Sequence, residues 1–192
     1  MGTSKRKRTP KRKITPKRGT TKIILLEDFL SRPSNLAIWN DLYARFKKRG
    51  LPTGEEIEIY PKNTYLLKKP KSIIGFWAWW PETEATPRRY TYWPLSGGDR
   101  SKTVAYLSMI FGNGPNKGEL LLREFYKQCM DQNLHHVQLQ YLYNANLAKC
   151  YQNKGFSEMS EFQTRSGGTR PLLNAWGYRY MYKMLTKEDV KE

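Results

Sequence analysis

A glycine-containing turn that leads into a helix is the first feature of this 192-residue chain that could do chemistry. Residues 112–118 read GNGPNKG, and the apolar spacing after them predicts an amphipathic helix over 119–132. Free N–H groups at a helix start bind phosphate groups, and glycine lets the backbone approach a ligand closely. The sequence therefore predicts an anion site over residues 114–120, to which Lys117 could add positive charge.

The segment YNANLAKCYQNKGF, residues 143–156, holds a second set of polar side chains. Asn144 can cap a short helix predicted over residues 144–153, and Tyr151 lies near the end of that helix. A phenol with a pKa near ~10 is protonated at neutral pH and can donate its proton. For Tyr151, proton donation and simple packing on the core are both open. For Asn144, the alternatives are a ligand contact and a helix cap.

Apolar runs and helical spacing predict the elements that position these residues. A helix capped by Ser34 is predicted over residues 35–49, with Ile38, Leu42 and Phe46 on its buried face. Both cysteines, Cys129 and Cys150, fall in predicted helices and are expected to be buried free thiols. Strands are predicted over residues 21–29, 56–60, 64–67, 72–80, 103–111, 136–142, 156–163 and 177–185. This order of elements predicts an α+β fold with a mixed sheet.

The order of strand, glycine turn, amphipathic helix, strand, Asn-bearing short helix and Gly-Phe pair resembles the GNAT superfamily of acyl-CoA-dependent N-acetyltransferases. The resemblance covers about residues 23–185 and is most specific at Asn144, Tyr151 and the pair Gly155-Phe156. The last strand, YRYMYKML, is also similar to the aromatic, methionine-containing strand that ends such domains. The resemblance implies a mixed sheet of about six to seven strands flanked by about four helices.

The turn before the predicted helix departs from the family pattern, which is Arg or Gln, two residues, Gly, one residue, then Gly or Ala. The aligned residues are Asn113, Asn116 and Gly118, of which only Gly118 agrees, and Pro115 removes a backbone donor. The resemblance implies acetyl-CoA as co-substrate, with Asn144 hydrogen-bonded to its pantetheine arm. The other implied cofactor contacts are Leu107, Met109, Asn113, Gly114, Asn116, Lys117, Gly118 and Glu119.

For catalysis the resemblance implies that Tyr151 acts as general acid toward the leaving thiolate. A base is also needed, because a lysine amine with a pKa near ~10.4 is almost wholly protonated at neutral pH. Glu82 and Glu84 are the base candidates, and His135, His136 and a water relay are the alternatives. The aromatic side chains are expected to lie mostly in the core, with the remainder forming an acceptor pocket wall: Phe76, Trp77, Trp79, Trp80, Tyr90, Tyr92 and Trp93.

The N-terminal segment carries most of the excess positive charge. Residues 1–22 contain ten Lys or Arg and no Asp or Glu, within a chain of net charge +17. Residues 5–22 read as a loose repeat, KRKRTP, KRKITP and KRGTTK, which predicts a disordered segment. Dense positive charge favours DNA or RNA as partner, without base specificity. A nuclear-import signal and a solubilising tail are the alternatives.

These features predict three segments: a basic tail over residues 1–22, a GNAT-like domain over 23–187 and a C-terminal tail over 188–192. An N-acetyltransferase acting on a protein lysine, a polyamine or a small amine is the first interpretation. The alternatives are a non-enzymatic GNAT-like nucleic-acid-binding or virion structural protein, and an unrelated α+β nucleic-acid-binding module. No membrane span, signal peptide or metal site is expected, which predicts an intracellular protein with nuclear and virion association as further alternatives. The sequence does not predict the oligomeric state.

Overall fold

A computed structural model of the chain describes seven stretches of residues: 20–50, 59–82, 103–142, 144–159, 161–163, 169–171 and 178–191. Several predicted features lie outside these stretches. They are the basic segment up to residue 19, the candidate base Glu84, and the aromatic side chains of Tyr90, Tyr92 and Trp93.

Four α-helices and nine strands make up the described fold. The helices are α1 (Leu26–Leu30), α2 (Ser34–Gly50), α3 (Lys117–Asp131) and α4 (Ala145–Gln152). The strands are β1 (Lys22–Leu25), β2 (Thr64–Lys69), β3 (Ser72–Glu82), β4 (Val104–Gly112), β5 (His136–Leu142), β6 (Ser157–Met159), β7 (Glu161–Gln163), β8 (Thr169–Pro171) and β9 (Tyr178–Met184). Short 3-10 turns cover Pro61–Asn63 and Lys187–Val190.

Seven of the strands form one mixed sheet in the order β1-β2-β3-β4-β5-β9-β6, and β7 pairs with β8 separately. Neighbours in the large sheet are antiparallel except β4 and β5, which run parallel. A parallel pair needs a crossover connection, and α3 provides it. The predicted α+β fold with a mixed sheet and about four helices is confirmed.

The helices cover the two faces of the sheet in pairs. α1 and α2 pack on one face, in a cluster that includes Phe46 and Met109. α3 and α4 pack on the other face, in a cluster that includes Leu107, Phe125 and Ala148. The sheet is therefore the middle of three layers, and β4 contributes side chains to both cores.

Strand β3 supplies large aromatic side chains to both faces of the sheet. Phe76 packs edge-on against Phe46 of α2, with ring centroids 5.3 Å apart. Trp77 and Trp79 face α3, where their indole N–H groups donate to Oε1 of Gln128 at 2.9 and 3.1 Å. All three β3 rings are at most 2% exposed, which confirms the core role predicted for them.

The first predicted strand is shorter than expected. It ends at Leu25, and the chain continues directly as α1, which buries Leu26 and Phe29. The apolar run at residues 23–26 favours a strand, whereas Leu26 and Phe29, three residues apart, lie on one face of a helix. The strand predicted over residues 21–29 is therefore a strand followed by a helix.

In α2 the buried face differs from the predicted one. Trp39, Leu42 and Phe46 are buried, whereas Ile38 is 49% exposed. Side chains spaced by four drift around a helix that has 3.6 residues per turn, so a stripe at spacings of three and four buries more area. The predicted burial of Ile38 is wrong.

The two cysteines also differ in burial. Cys129 is buried in α3 as predicted, where burial raises the pKa of its thiol. Cys150 is exposed, so its predicted burial is wrong. The helix α4 instead directs Ala148 and Tyr151 toward the core.

The turn Lys187–Val190 packs on the domain through Val190, although the sequence predicts a tail over residues 188–192. The turn Lys187–Val190 begins with a capping box between Thr186 and Asp189. Asp189 forms an ion pair with Nζ of Lys183 on β9 at 2.7 Å, and both side chains are largely buried. This pair ties the C-terminal turn to the sheet. No helix in the described stretches is long and apolar enough to cross a bilayer.

Candidate functional site

Strands β4 and β5 pair over only part of their length. Their register runs from Val104 opposite His136 to Leu107 opposite Leu139. Beyond that point β4 continues to Gly112 and β5 to Leu142 without further pairing between them. The two strands thus separate, and we call the gap between residues 108–112 and 140–142 the β4–β5 cleft. Backbone N–H and C=O groups along such an edge can bind an extended ligand.

A β-bulge in β4 lies at the point where the strands separate. Ala78 of β3 faces Met109 and Trp79 faces Leu107, so Ser108 has no partner in β3. A bulge bends a strand and increases its local twist. It also reverses the usual alternation, because Leu107 and Met109 are two residues apart yet pack in the cores on opposite faces. The two predicted cofactor contacts in β4 therefore flank the bulge.

The turn between β4 and α3, residues 112–118, is held firmly to the sheet by Asn113. Its backbone N–H donates to the carbonyl O of Ile74 at 2.8 Å, and its Nδ2 donates to that of Ile73 at 3.2 Å. Its Oδ1 accepts from Nη1 of Arg45 on α2 at 3.2 Å. Asn113, one of the predicted cofactor residues, thus fixes the position of the turn.

Glycines allow the tight path of this turn. A Cβ on Gly112 would lie 2.7 Å from the backbone N of Gly118, which no side chain could tolerate. Gly114 has φ +128°, a region that favours glycine, and Asn116 adopts the left-handed conformation at φ 57°. These residues turn the chain sharply from β4 into α3.

The start of α3 offers backbone donors beside open space. Asn116 is the N-cap residue of α3, but its side chain makes no capping hydrogen bond. A Cβ built on Gly118 would meet no heavy atom within 4 Å. Glycine is therefore not required there by the packing of the described residues. Uncapped N–H groups at a helix start, with room around them, suit an anion.

Glu119 brings a carboxylate to the same helix turn. It is 75% exposed and pairs with Nζ of Lys154 at 3.3 Å. Lys154 follows α4, so this ion pair joins the start of α3 to the end of α4. The rings of Tyr126 on α3 and Phe156 also lie together, with centroids 6.5 Å apart. The glycine turn and residues 144–156 are thus neighbours in the fold.

Tyr151 packs beside the cleft. Its ring lies 5.9 Å from that of Tyr141, in the part of β5 that pairs with β9 but no longer with β4, and 5.5 Å from that of Phe156. Burial, with a smaller effect of Cys150, raises the pKa of Tyr151 to about 12. The phenol is therefore protonated at neutral pH, so it can act as a hydrogen-bond or proton donor and not as a base. Packing on the core and proton donation are compatible at this position.

Asn144 caps α4. Its Oδ1 accepts hydrogen bonds from the backbone N–H of Asn146 at 3.0 Å and of Leu147 at 3.2 Å. The residue has extended backbone angles, as expected of a helix N-cap. The cap fixes Asn144 at the junction of β5 and α4, and it does not engage the Nδ2 donor.

The base candidates lie away from the point where the strands part. Glu82, whose side chain is outside the described part, pairs through its backbone with Val104, as does His136. Val104 is three residues before Leu107, a distance of about 10 Å along a strand. His136 is buried, which lowers its pKa to about 4, and the exposed His135 contacts Asn133. The backbone of Glu82 and that of His136 therefore lie about 10 Å from the point where β4 and β5 separate.

Two residues that the sequence did not single out bridge the strands at the cleft. The hydroxyl of Tyr106 on β4 donates to Oε1 of Gln140 on β5 at 3.3 Å. The ring of Tyr106 packs in a tilted arrangement against that of Trp80, with centroids 5.3 Å apart. For Gln140 the sequence does contain a signal. Gln138 and Gln140 alternate with apolar residues along β5, so both lie on the face of the strand opposite to Leu139. A tyrosine inside an apolar strand gives no such signal.

No protein-family model matches the chain, and no curated protein sequence matches it significantly. Solved structures with a similar fold include N-acetyltransferases and an N-acetylglutamate synthase. The polyamine N-acetyltransferase of Drosophila melanogaster has a TM-score of 0.54 and 11% identity, over 86% of this chain and 100% of that one. Arabidopsis thaliana Naa50, solved with a bisubstrate analogue containing CoA, has a TM-score of 0.52 and 16% identity, over 86% and 99% of the chains.

The N-acetylglutamate synthase of Neisseria gonorrhoeae, solved with coenzyme A and N-acetyl-glutamate, has a TM-score of 0.55 and 11% identity. The alignment covers 89% of this chain and 36% of that longer one. Because all three identities are low, these likenesses establish the fold. The GNAT fold that the resemblance implies is confirmed.

Proposed function

We propose that this chain is an N-acetyltransferase that transfers an acetyl group from acetyl-CoA to an amine. One observation carries the proposal: a bulged, separated parallel strand pair opens beside the uncapped start of α3, where Gly118 borders open space. The likeness to CoA-bound acetyltransferase structures supports the same choice of co-substrate.

The described residues suit the parts of acetyl-CoA. Its pyrophosphate is an anion, which the backbone N–H groups at the start of α3 would bind, with Lys117 adjacent. Its pantetheine arm carries amides, which would pair with the backbone edge of β4 in the β4–β5 cleft and with Nδ2 of Asn144. Glu119 opposes anion binding, and its ion pair with Lys154 offsets that effect.

In the reaction the acceptor amine attacks the thioester carbonyl, the carbon–sulfur bond breaks, and the amine loses a proton. Tyr151 supports the departure of the thiolate, since its pKa of about 12 keeps it protonated. Deprotonating a lysine-like amine at pH 7 contributes on the order of 4–5 kcal/mol to the free-energy barrier of the reaction. Tyr106 and Gln140 are our candidates for orienting the amine or a water that takes this proton. Glu82 and Glu84 remain candidates whose side chains lie outside the described part.

The acceptor is an amine of a peptide or a polyamine. The fold neighbours include a polyamine N-acetyltransferase and an enzyme bound to a peptide-containing bisubstrate analogue, and both kinds of acceptor present a primary amine. Aromatic rings attract ammonium groups, and the half-buried ring of Trp80, which packs on the buried ring of Tyr106, is the candidate for such a contact.

Thermal melting with and without acetyl-CoA tests this function. At ~100 times its Kd, acetyl-CoA should stabilise the protein by about 2.7 kcal/mol, or several degrees in Tm. The variant Gly118→Val should melt like the wild type when no ligand is present, because its side chain enters open space. It should lose the acetyl-CoA shift, whereas Ala37→Val, on an exposed position of α2, should keep it. No shift for the wild type at millimolar acetyl-CoA would remove the proposal.

We also propose that the basic segment, residues 5–22, binds nucleic acid. The observation in favour is its charge, since residues 1–22 contain ten Lys or Arg and no carboxylate. Such a segment neutralises phosphates and releases counterions, which gives salt-dependent affinity. A protein with this property and no acetyl transfer is the second candidate function. The departures of the glycine turn from the GNAT pattern, at Asn113 and Asn116, favour that candidate.

A further inference from the structure

One end of the large sheet carries exposed basic side chains from separate parts of the chain. Lys22 opens β1 and faces Lys68 of β2 in the antiparallel register. β2 then ends at Lys69, which faces Ser72 at the start of β3, and Lys71 lies in the turn between them. Four lysines are thus gathered at the end of the hairpin β2–β3 and of its neighbour β1.

The last turn of α2 reaches the same end of the molecule. Strand β4 runs in the same direction as β2, because both are antiparallel to β3. Phe46 packs on Phe111 near the end of β4, with ring centroids 5.6 Å apart, and Arg45 donates to Asn113 in the next turn. Lys47, Lys48 and Arg49 follow directly. We call Lys22, Lys47, Lys48, Arg49, Lys68, Lys69 and Lys71 the basic end.

These charges are not neutralised by the described part of the protein. None of the seven residues forms an ion pair with a described carboxylate, and all except the half-buried Lys68 are exposed. Two carboxylates on the adjoining helices are paired with other residues, Asp41 with Arg45 and Glu119 with Lys154. Lys47, Lys48 and Arg49 favourably meet the negative end of the α2 dipole. Among the hairpin lysines, Lys68 places its Nζ 5.7 Å from the ring centroid of Phe29, a contact that leaves its charge in place. The mutual repulsion of these lysines favours an anionic partner.

The basic end continues directly from the basic N-terminal segment of the chain. Lys22 belongs to both, since residues 5–22 lead directly into β1. We infer that the basic end is a binding surface for the phosphate backbone of nucleic acid, continuous with the segment that precedes it. The glycine turn and Lys117 adjoin this surface through the bonds of Asn113 to β3. The inference extends the nucleic-acid binding proposed for residues 5–22 and does not depend on acetyl transfer.

The test is the salt dependence of binding by the full-length chain to a 20-base-pair DNA duplex. The basic-end variant replaces three exposed lysines, Lys48→Gln, Lys69→Gln and Lys71→Gln. The control replaces three exposed lysines elsewhere, Lys62→Gln, Lys149→Gln and Lys187→Gln, so that net charge changes equally. For each phosphate that the protein no longer neutralises, the slope of log affinity against log salt decreases by about 0.9. We expect a decrease of about 2 to 3 for the basic-end variant and less than about 1 for the control.

Equal slopes for the two variants would overturn the inference, because binding would then follow net charge or the N-terminal segment alone. The same measurement on a double-stranded RNA of equal length distinguishes RNA from DNA as the ligand. The same decrease of the salt slope on either duplex supports the proposed surface. Vesicles containing phosphatidylserine test a membrane instead. If the basic-end substitutions weaken vesicle binding but leave both duplex slopes unchanged, the nucleic-acid assignment is wrong. The acetyl-CoA melting shift should be the same in both variants, which separates this test from that of the enzyme.

Discussion

At the scale of single residues, Tyr151 carries the most direct chemical expectation. The phenol lies against Tyr141 in the part of β5 that no longer pairs with β4, and burial holds its pKa at about 12. A group with that pKa stays protonated throughout the range in which the protein would be assayed. Its role would be to protonate the leaving thiolate as the carbon–sulfur bond breaks.

The variant Tyr151→Phe removes the proton donor and keeps the ring in its packing. We expect kcat for acetyl transfer to fall by about 10²- to 10⁴-fold, the usual contribution of a positioned acid, with the acetyl-CoA melting shift unchanged. Steady-state kinetics and melting curves measure the two effects. Tyr126→Phe is the matched control, because it removes a buried hydroxyl of the same core cluster that has no hydrogen-bond partner among the described residues. Equal turnover for Tyr151→Phe and wild type would exclude Tyr151 from the mechanism.

The predictability of the candidate site differs from residue to residue. The helix cap at Asn144 and the helix position of Tyr151 follow from local spacing, which the sequence contains. For Asn113 the resemblance implies a cofactor contact, which stays a prediction, and the structure adds that its side chain holds the turn to β3 and α2. That role depends on Arg45 and Ile73, which are distant in the sequence. Contacts of this kind are set by the tertiary fold and have no local signal.

At the scale of elements, the long strands β3, β4 and β5 were predictable because their apolar runs are long, whereas β1 and β6 are too short to give a clear pattern. The boundaries of β4, α3 and β5 differ from the predicted ones by at most two residues. The bulge at Ser108 was not predictable, because its neighbours Leu107 and Met109 are both apolar and fit a regular strand equally well. The bulge nevertheless coincides with the point where the cleft opens. It is a feature of the pairing between β4 and β3, and the local sequence of β4 does not show how these strands pair.

The turn between α4 and β6 depends on Gly155 for two separate reasons. The residue has φ +81°, and a Cβ there would lie 2.8 Å from Nζ of Lys183. That ammonium group is held by Asp189 and by the carbonyl O of Lys154. A side chain at position 155 would therefore strain the backbone and displace a largely buried ion pair.

We expect Gly155→Ala to destabilise the protein by about 1–3 kcal/mol. For a domain of this size that corresponds to a decrease in Tm of roughly 2–4 °C per kcal/mol, measurable by calorimetry. Gly118→Ala is the matched control, since its Cβ meets no atom within 4 Å and alanine favours a helix more than glycine does. It should leave Tm unchanged or raise it slightly. A similar decrease of Tm for both variants would contradict this account of the turn.

At the scale of the whole molecule, the densest positive charge and the candidate cofactor site lie in different parts of the chain. The β4–β5 cleft and the glycine turn lie within residues 104–142, whereas nine of the 34 Lys and Arg lie within residues 1–19. The basic end stands between these two parts, because it joins the N-terminal segment through Lys22 and the glycine turn through α2 and β3. Nucleic-acid binding and acetyl-CoA binding should therefore be separable by truncation.

Deletion of residues 1–19 tests this separation. Removing nine positive charges should reduce the salt slope of DNA binding by up to about 8, in proportion to the phosphate contacts that those charges make. The acetyl-CoA melting shift should remain, because every described residue of the cleft and the turn is retained. Binding isotherms from about 50 to 200 mM salt and melting curves on the same samples measure both. An unchanged DNA slope would show that the segment is not the nucleic-acid ligand. Disappearance of the acetyl-CoA shift would show that the segment takes part in the cofactor site.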